Sequence, residues 1–218
     1  MTSEKPDLNT NAAFWNNHAE KFAKRPVANP EVFERKIRIT TSRMTFGDVI
    51  LDIGCGTGSL ALRLAPHAAH VHGLDLSTEM IRIARDKASE QRVDNITFHV
   101  GPFDESFTEF EDGSLDGICA NYLLHLLEDR TAALERTHRL LRPGGFFVSS
   151  TVCLGDGWLP YGPLLWAIRK LGKAPSVVEH FSKRTLEAEM RRAGFVDLAC
   201  PDVGDTARNV FLVAAKPE

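Results

Sequence analysis

The chain has 218 residues, of which 43% are hydrophobic and 25% charged, with 26 basic side chains against 29 acidic ones. At about 150 residues per domain this is one generous domain, large enough to bury a core without a disulfide or metal staple. The formal net charge of −3 offers no basic face for a nucleic acid backbone, so a nucleic acid partner is not expected, and the pairs Lys183-Arg184 and Arg191-Arg192 read as solvated helix faces.

A polar first ten residues lead into a helical pattern over 11–25, where Phe14, Trp15, His18 and Phe22 fall on one face. A second helix follows over 31–44, with Val32, Phe33, Lys36, Ile37 and Thr40 at helical spacing. Strands and helices then alternate. Asp48–Ile53 reads as a strand, Gly54–Gly58 as a turn, and Ser59–Ala65 as a helix stopped by Pro66. His70–Leu76 is a second strand, and Ser77 caps a helix running from Glu79 to Glu90. Ile96–Val100 and Leu115–Asn121 are the third and fourth strands, and Glu128–Leu141 is a helix ended by a Pro-Gly turn at Arg142–Gly145. Phe146–Val152 is a fifth strand, apolar on both faces. A glycine- and proline-rich stretch, 154–181, surrounds a short apolar helix, Leu164–Leu171. Lys183–Ala193 is a helix, and the strands Val196–Cys200 and Asn209–Ala215, joined by a short link, pair antiparallel.

This order predicts an α/β fold: a three-layer, doubly wound, mostly parallel seven-stranded sheet with an antiparallel last strand. The near-continuous apolar strands agree, since such strands are buried on both faces. The single domain divides into an N-terminal helical cap (1–45), a core (46–152), a helical lid (153–193) inserted after the fifth strand, and a C-terminal strand pair (194–218). Cys55, Cys119, Cys153 and Cys200 show no C-x-x-C spacing. With no signal-peptide core and no run near ~18 apolar residues, they place the chain in the cytoplasm with no membrane span.

The most informative stretch is Val49-Ile50-Leu51-Asp52-Ile53-Gly54-Cys55-Gly56-Thr57-Gly58, a strand entering a glycine turn and then a helix. Glycine permits positive φ and close ligand approach, and the helix N-terminus presents unpaired N–H groups to an anion. Dinucleotide binders carry G-x-G-x-x-G at this place. Here Ser59 stands at the third position, so the turn suits a smaller anion such as an amino-acid carboxylate. Asp75 ends the second strand, 21 residues after Gly54, where a carboxylate accepts ribose hydroxyls.

Four blocks in this order resemble the class I S-adenosylmethionine-dependent methyltransferases, in the small-molecule group that includes quinone-biosynthesis methyltransferases. They are Leu51–Gly58, Gly73–Ser77 with Met80, Phe110–Asp116 leading to Asn121, and Leu140–Gly145. The resemblance covers 46–152 strongly and the flanks weakly. It implies S-adenosyl-L-methionine as cofactor and S-adenosyl-L-homocysteine as product. It further implies that Gly54, Cys55, Gly56 and Gly58 wrap the methionine part and that Asp52 positions its amino group. Asp75 holds the ribose, and Leu76 and Met80 flank the adenine, whose edge meets Pro102 and Phe103. Asn121 offers its carbonyl to the methionine ammonium. One departure stands out: the family commonly has an acidic residue after Gly101, where this chain has Pro102. Asp104 or the Phe103 N–H is left to make that adenine contact.

The acceptor is then a small, partly apolar organic molecule, bound by the N-terminal helices and the lid. Neither a Pro-Pro-aromatic run after Asn121 nor a paired-glutamate loop is present. His125 is the first candidate for a general base, with a packed histidine as the competing reading; Tyr122, Tyr161 and His180 are the alternatives. Phe22, with Phe14 and Trp15, either covers the cofactor or packs its helix on the sheet. His70 and His72 share a strand face, but no third ligand is near in sequence, so no metal is expected. The chain is a monomer or homodimer on this reading. An NAD-dependent oxidoreductase and a non-catalytic cofactor-binding module are the competing functions.

Overall fold

The computed structural model describes residues 8–155 and 180–218. Two helices, α1 (Leu8–Ala23) and α2 (Pro30–Thr41), precede the first strand. Asn29 caps α2 by accepting the Val32 N–H at 3.2 Å, and Pro30 sits in the first turn, where its missing N–H is no loss. Then come β1 (Val49–Ile53), α3 (Ser59–Leu64), β2 (His70–Asp75), α4 (Thr78–Gln91), β3 (Ile96–Val100), β4 (Leu115–Asn121), α5 (Arg130–Leu140) and β5 (Leu141–Val152). The chain closes with α6 (Lys183–Arg192), β6 (Val196–Ala199) and β7 (Asn209–Ala215).

The strands form one seven-stranded sheet in the order β3-β2-β1-β4-β5-β7-β6. Strands β1 to β5 pair parallel, and β7 runs antiparallel between β5 and β6. This is the doubly wound sheet with an antiparallel last strand that the alternation predicts. The order reverses between β1 and β4, and the crevice beyond the carboxyl ends of these strands is where such sheets bind ligands.

Alternate residues of each central strand feed opposite layers, the period-two consequence of a pleated strand. Ile50, Cys119, Val148 and Phe211 pack with α2, α3 and α4 on one face. Leu51, Ile118, Phe147 and Leu212 pack with α5 and α6 on the other. Helix α1 lies outside the first layer, where Trp15 and Ala19 meet Met80 and Ile83 of α4.

Two boundaries differ from the sequence reading for identifiable reasons. Helix α5 starts at Arg130 because Asp129 caps it, accepting the Ala132 N–H at 2.9 Å. Strand β5 starts at Leu141, which pairs with Leu115, and the register shifts before Gly117 meets Phe146. The Pro143-Gly144 turn is therefore an irregularity within the strand, with Gly144 at φ 70°, and not a linker ahead of it. The Leu164–Leu171 helix and Tyr161 lie outside the described residues. Among the described residues no helix is long and apolar enough to cross a membrane.

Candidate active site

The turn after β1 is held to the end of β2 from both sides. The Gly54 and Cys55 N–H groups donate to the Leu74 carbonyl at 2.7 and 3.0 Å. The Gly56 N–H donates to Asp75 Oδ2 at 2.9 Å, while the Ser77 N–H donates to Asp75 Oδ1, also at 2.9 Å. Asp75 is thus locked in one orientation by two backbone donors, with lone pairs left over for a ligand. Burial raises its carboxyl above the ordinary range, and the Ser77 and Gly56 N–H groups pull it back.

Gly54 and Gly58 have φ of 69° and 74°, a region L side chains rarely adopt. Their surroundings differ. A Cβ on Gly54 would meet Leu123 Cδ1 at 2.8 Å at the cleft, whereas one on Gly58 would meet Phe98 Cζ at 2.9 Å and Ala84 Cβ at 3.1 Å in the core. Gly56 lies open except for the Phe22 ring, 3.7 Å from where its Cβ would stand.

A cavity of about 470 Å³ opens beside this turn. Of the sequence-derived site residues, Phe22, Gly54, Gly56, Asp75, Leu76, Met80, Pro102, Phe103, Asn121 and Tyr122 line it. Asp104 also lines it, but its Oδ1 is taken by the Ser106 N–H and hydroxyl at 2.9 and 2.6 Å. Asp52, Cys55, Gly58 and His125 are not on the wall. Asp52 is buried on β1, 1% exposed, with Oδ2 lacking any partner. Burial first, and the charge of Asp75 second, push its carboxyl up to about 8. Asn121 Oδ1 is likewise buried without a partner. The Cys55 thiol is pushed well up by burial and the two aspartates, which leaves it an inert packing group.

His125 sits in a short 3-10 turn, Leu124–Leu126, with Nδ1 buried and unpartnered. Burial pushes its imidazole down to about 4, so the ring is neutral at physiological pH. His180 is exposed ahead of α6. His72 Nδ1 lies 3.0 Å from His99 Nε2, and among the described residues no group of three or more His, Cys, Asp or Glu is arranged to hold a metal.

Several cavity residues escaped the sequence reading. Arg136 of α5 lines the cavity beside Phe103, with its guanidinium 5.4 Å from that ring, held by Glu105 and the Phe107 carbonyl. Leu123, Leu126 and Leu127 form an apolar wall with Trp15. Behind Tyr122 lies Lys36, whose one sequence signal is a lysine on the apolar face of α2.

The donor set fits the implied cofactor. Two orphaned oxygens, on Asp52 and Asn121, suit an ammonium; the fixed carboxylate of Asp75 suits a diol; Leu76, Met80 and Phe103 suit a flat ring. Fold and cleft together define a doubly wound α/β domain with a cavity at the switch point of its sheet.

Comparison with known proteins agrees. A family model described as a methyltransferase domain matches residues 50–145. The chain is 32% identical over 177 residues to 27-O-demethylrifamycin SV methyltransferase of Amycolatopsis mediterranei, covering 78% of this chain and 62% of that one. It is 30% identical over 193 residues to an O-methyltransferase, resE, of Aspergillus sclerotiorum, covering 81% and 69%. The crystal structure of geranyl diphosphate C-methyltransferase from Streptomyces coelicolor A3(2), a complex that includes S-adenosyl-L-homocysteine, superposes with a TM-score of 0.72 at 16% identity over the whole of both chains. The chain belongs to the class I S-adenosylmethionine-dependent methyltransferases.

Proposed function

We propose that this enzyme methylates a hydroxyl oxygen of a small, partly apolar organic molecule. The observation that carries this reading is the continuity of the cavity. It joins the Asp75 end, shaped for a nucleoside, to an apolar wall of Trp15, Phe22, Leu123, Leu126 and Leu127. Both curated relatives above are named for chemistry at an oxygen, which supports that atom as the acceptor.

When bound, S-adenosyl-L-methionine supplies an electrophilic methyl on a sulfonium, whose departure leaves a neutral thioether. The chain's task is positioning. Asp75 takes the ribose hydroxyls, and Leu76, Met80, Pro102 and Phe103 enclose the adenine. Asp52 and the Asn121 oxygens hold the ammonium, and Gly54 and Gly56 let the methionine part lie against backbone. Holding two reactants in line contributes about 7–11 kcal/mol in favourable cases. The apolar wall excludes water from the acceptor side. Cys55, Cys119, Cys153 and Cys200, none of them in a disulfide, and the small acceptor fit a cytoplasmic enzyme.

Calorimetric titration with S-adenosyl-L-homocysteine, with NAD as control, tests the cofactor. Saturable micromolar binding of the first and none of the second is expected. A panel of hydroxylated acceptors, followed by release of S-adenosyl-L-homocysteine, tests the rest. No binding of S-adenosyl-L-homocysteine sinks the reading; binding with turnover only on amines or carbon nucleophiles corrects the acceptor atom.

A further inference from the structure

Lys36 is 3% exposed, in the middle of α2. Its Nζ donates to Asp205 Oδ2 at 2.7 Å, Ser150 Oγ at 2.9 Å and Tyr122 Oη at 3.2 Å, so all three ammonium protons are placed. Asp205 neutralises the charge. Burial raises its carboxyl, but hydrogen bonds from Lys36, Asn209 and the Thr206 N–H outweigh this and hold it below the ordinary range. A buried pair of this kind is a poor source of stability compared with apolar packing. Its third hydrogen bond points to another use.

That bond ends on Tyr122, which is 45% exposed and lines the cavity immediately after Asn121. The Tyr122 oxygen accepts from the ammonium, so its own proton is free to donate, and among the described residues nothing accepts it. A hydroxyl that accepts from a cation is a stronger donor, because the two hydrogen bonds polarise one another. The backbone that carries the ring is held in place as well. Tyr122 has φ of 55°, unusual for a bulky residue, and its N–H donates to the Ser150 carbonyl at 2.6 Å. Ser150 of β5 therefore fixes both the tyrosine backbone and the lysine that polarises its hydroxyl.

We propose that Lys36 is a positioning residue that makes the Tyr122 hydroxyl a donor to an oxyanion of the methyl acceptor, selecting acceptors whose hydroxyl ionises by conjugation, phenols and enols. The proposal rests on the methyltransferase reading and names the acceptor class for it. A polarised hydroxyl in a cavity that also carries the leucine wall matches a flat conjugated body with one ionised oxygen; a saturated alcohol stays neutral and gains far less from the donor. The acceptor releases its proton to solvent as it binds in ionised form. Its oxygen then forms a bond to the methyl carbon while the carbon–sulfur bond breaks with its electron pair going to sulfur. The negative charge on oxygen and the positive charge on sulfur are lost together.

The probe for this is 4-nitrophenol, whose ionised form is read by visible absorbance. It is titrated at constant neutral pH into the full chain saturated with S-adenosyl-L-homocysteine, and calorimetry on the same samples reports the affinity for the latter. The wild type is expected to hold the probe more ionised than it is in buffer. Tyr122→Phe, which removes one oxygen from a half-exposed ring, lowers probe affinity by about tenfold or more and returns the bound probe to its solution ionisation. Lys36→Met, combined with Asp205→Asn so that no carboxylate is stranded, has the same effect, and Lys36→Arg keeps part of the ionisation. A purely structural lysine would leave the ionisation of the probe unmoved in every variant that still binds S-adenosyl-L-homocysteine, and that result overturns the proposal. So does a wild type that binds S-adenosyl-L-homocysteine but does not bind or ionise the probe. Loss of S-adenosyl-L-homocysteine binding in the wild type instead removes the methyltransferase reading beneath it.

Discussion

Asp75 ends β2 and Asp52 lies within the neighbouring β1, and burial raises both carboxyls. Asp75 is fixed by the Gly56 and Ser77 N–H groups and has acceptor capacity left over. Asp75→Ala removes two charge-assisted ribose bonds of about 1.5–3 kcal/mol each, so the affinity for S-adenosyl-L-homocysteine falls about a hundredfold or more; calorimetry checks it, and an unchanged affinity disproves the ribose contact. Asp52, pushed up to about 8, carries a proton at neutral pH in the free enzyme. An ammonium requires the carboxylate, so binding releases that proton. Affinity for S-adenosyl-L-homocysteine therefore rises with pH up to about 8, by at most tenfold per pH unit, and levels off above. Calorimetry in buffers of different ionisation enthalpy reads the proton directly. Asp52→Asn should make the affinity independent of pH over this range, and a wild type already flat there would place the ammonium elsewhere.

At the scale of elements, Asn16 hydrogen-bonds α1 to the start of α4, beside the packing of Trp15 and Ala19 on that helix. Asn16 Oδ1 accepts from the Ser77 hydroxyl at 2.7 Å, the Glu79 N–H at 3.2 Å and the Thr78 hydroxyl at 3.3 Å. Ser77 in turn caps α4 through the Met80 N–H at 3.1 Å. Asn16→Ala should cost about 1–2 kcal/mol in urea unfolding and also weaken S-adenosyl-L-homocysteine, because Phe22 over Gly56 loses its anchor; stability loss with full affinity would show that α1 covers nothing. The aromatic face of α1, the glycine turn and Asp75 were legible because each is written within a few consecutive residues. What needed the fold was long-range. Lys36, Ser150 and Asp205 come from three separate parts of the chain, so no local pattern joins them. Strand β5 starts early because Leu141 pairs with Leu115, a partner invisible beside a Pro-Gly turn. Gly58 looked like a ligand glycine because packing and ligand approach select the same residue. Gly58→Ala should destabilise the fold by about 1–3 kcal/mol, seen in urea unfolding, through its clash with Phe98 and Ala84.

Across the whole molecule the buried histidines and buried carboxylates set opposite pH slopes. Burial, then the charges of His70 and His99, push His72 down to about 4, and burial alone does the same to His125. Unfolded, each titrates near 6.5. Between about 4 and 6.5 the unfolded chain binds protons that the folded chain refuses, so these groups make stability rise with pH and lose it as pH falls. His99 and His138, also lowered by burial, add the same sign. Asp52 acts the other way. Its folded value of about 8 lies above the ordinary 3.8, so the folded chain holds an extra proton across that window and loses stability as pH rises. Asp75, raised by burial, has the same sign. Below about 6.5 the histidines outnumber Asp52; above it Asp52 acts unopposed by them. Stability of the cofactor-free enzyme should therefore peak near pH 6.5 and decline toward 8, measured by urea unfolding at constant ionic strength. Asp52→Asn should flatten the alkaline side, and saturating S-adenosyl-L-homocysteine should reverse it, because the bound ammonium draws the Asp52 proton off before pH does. A wild-type stability that climbs steadily to pH 8 without ligand would mean that the carboxyl behind the glycine turn is already ionised, and that the site holds its charge before the cofactor arrives.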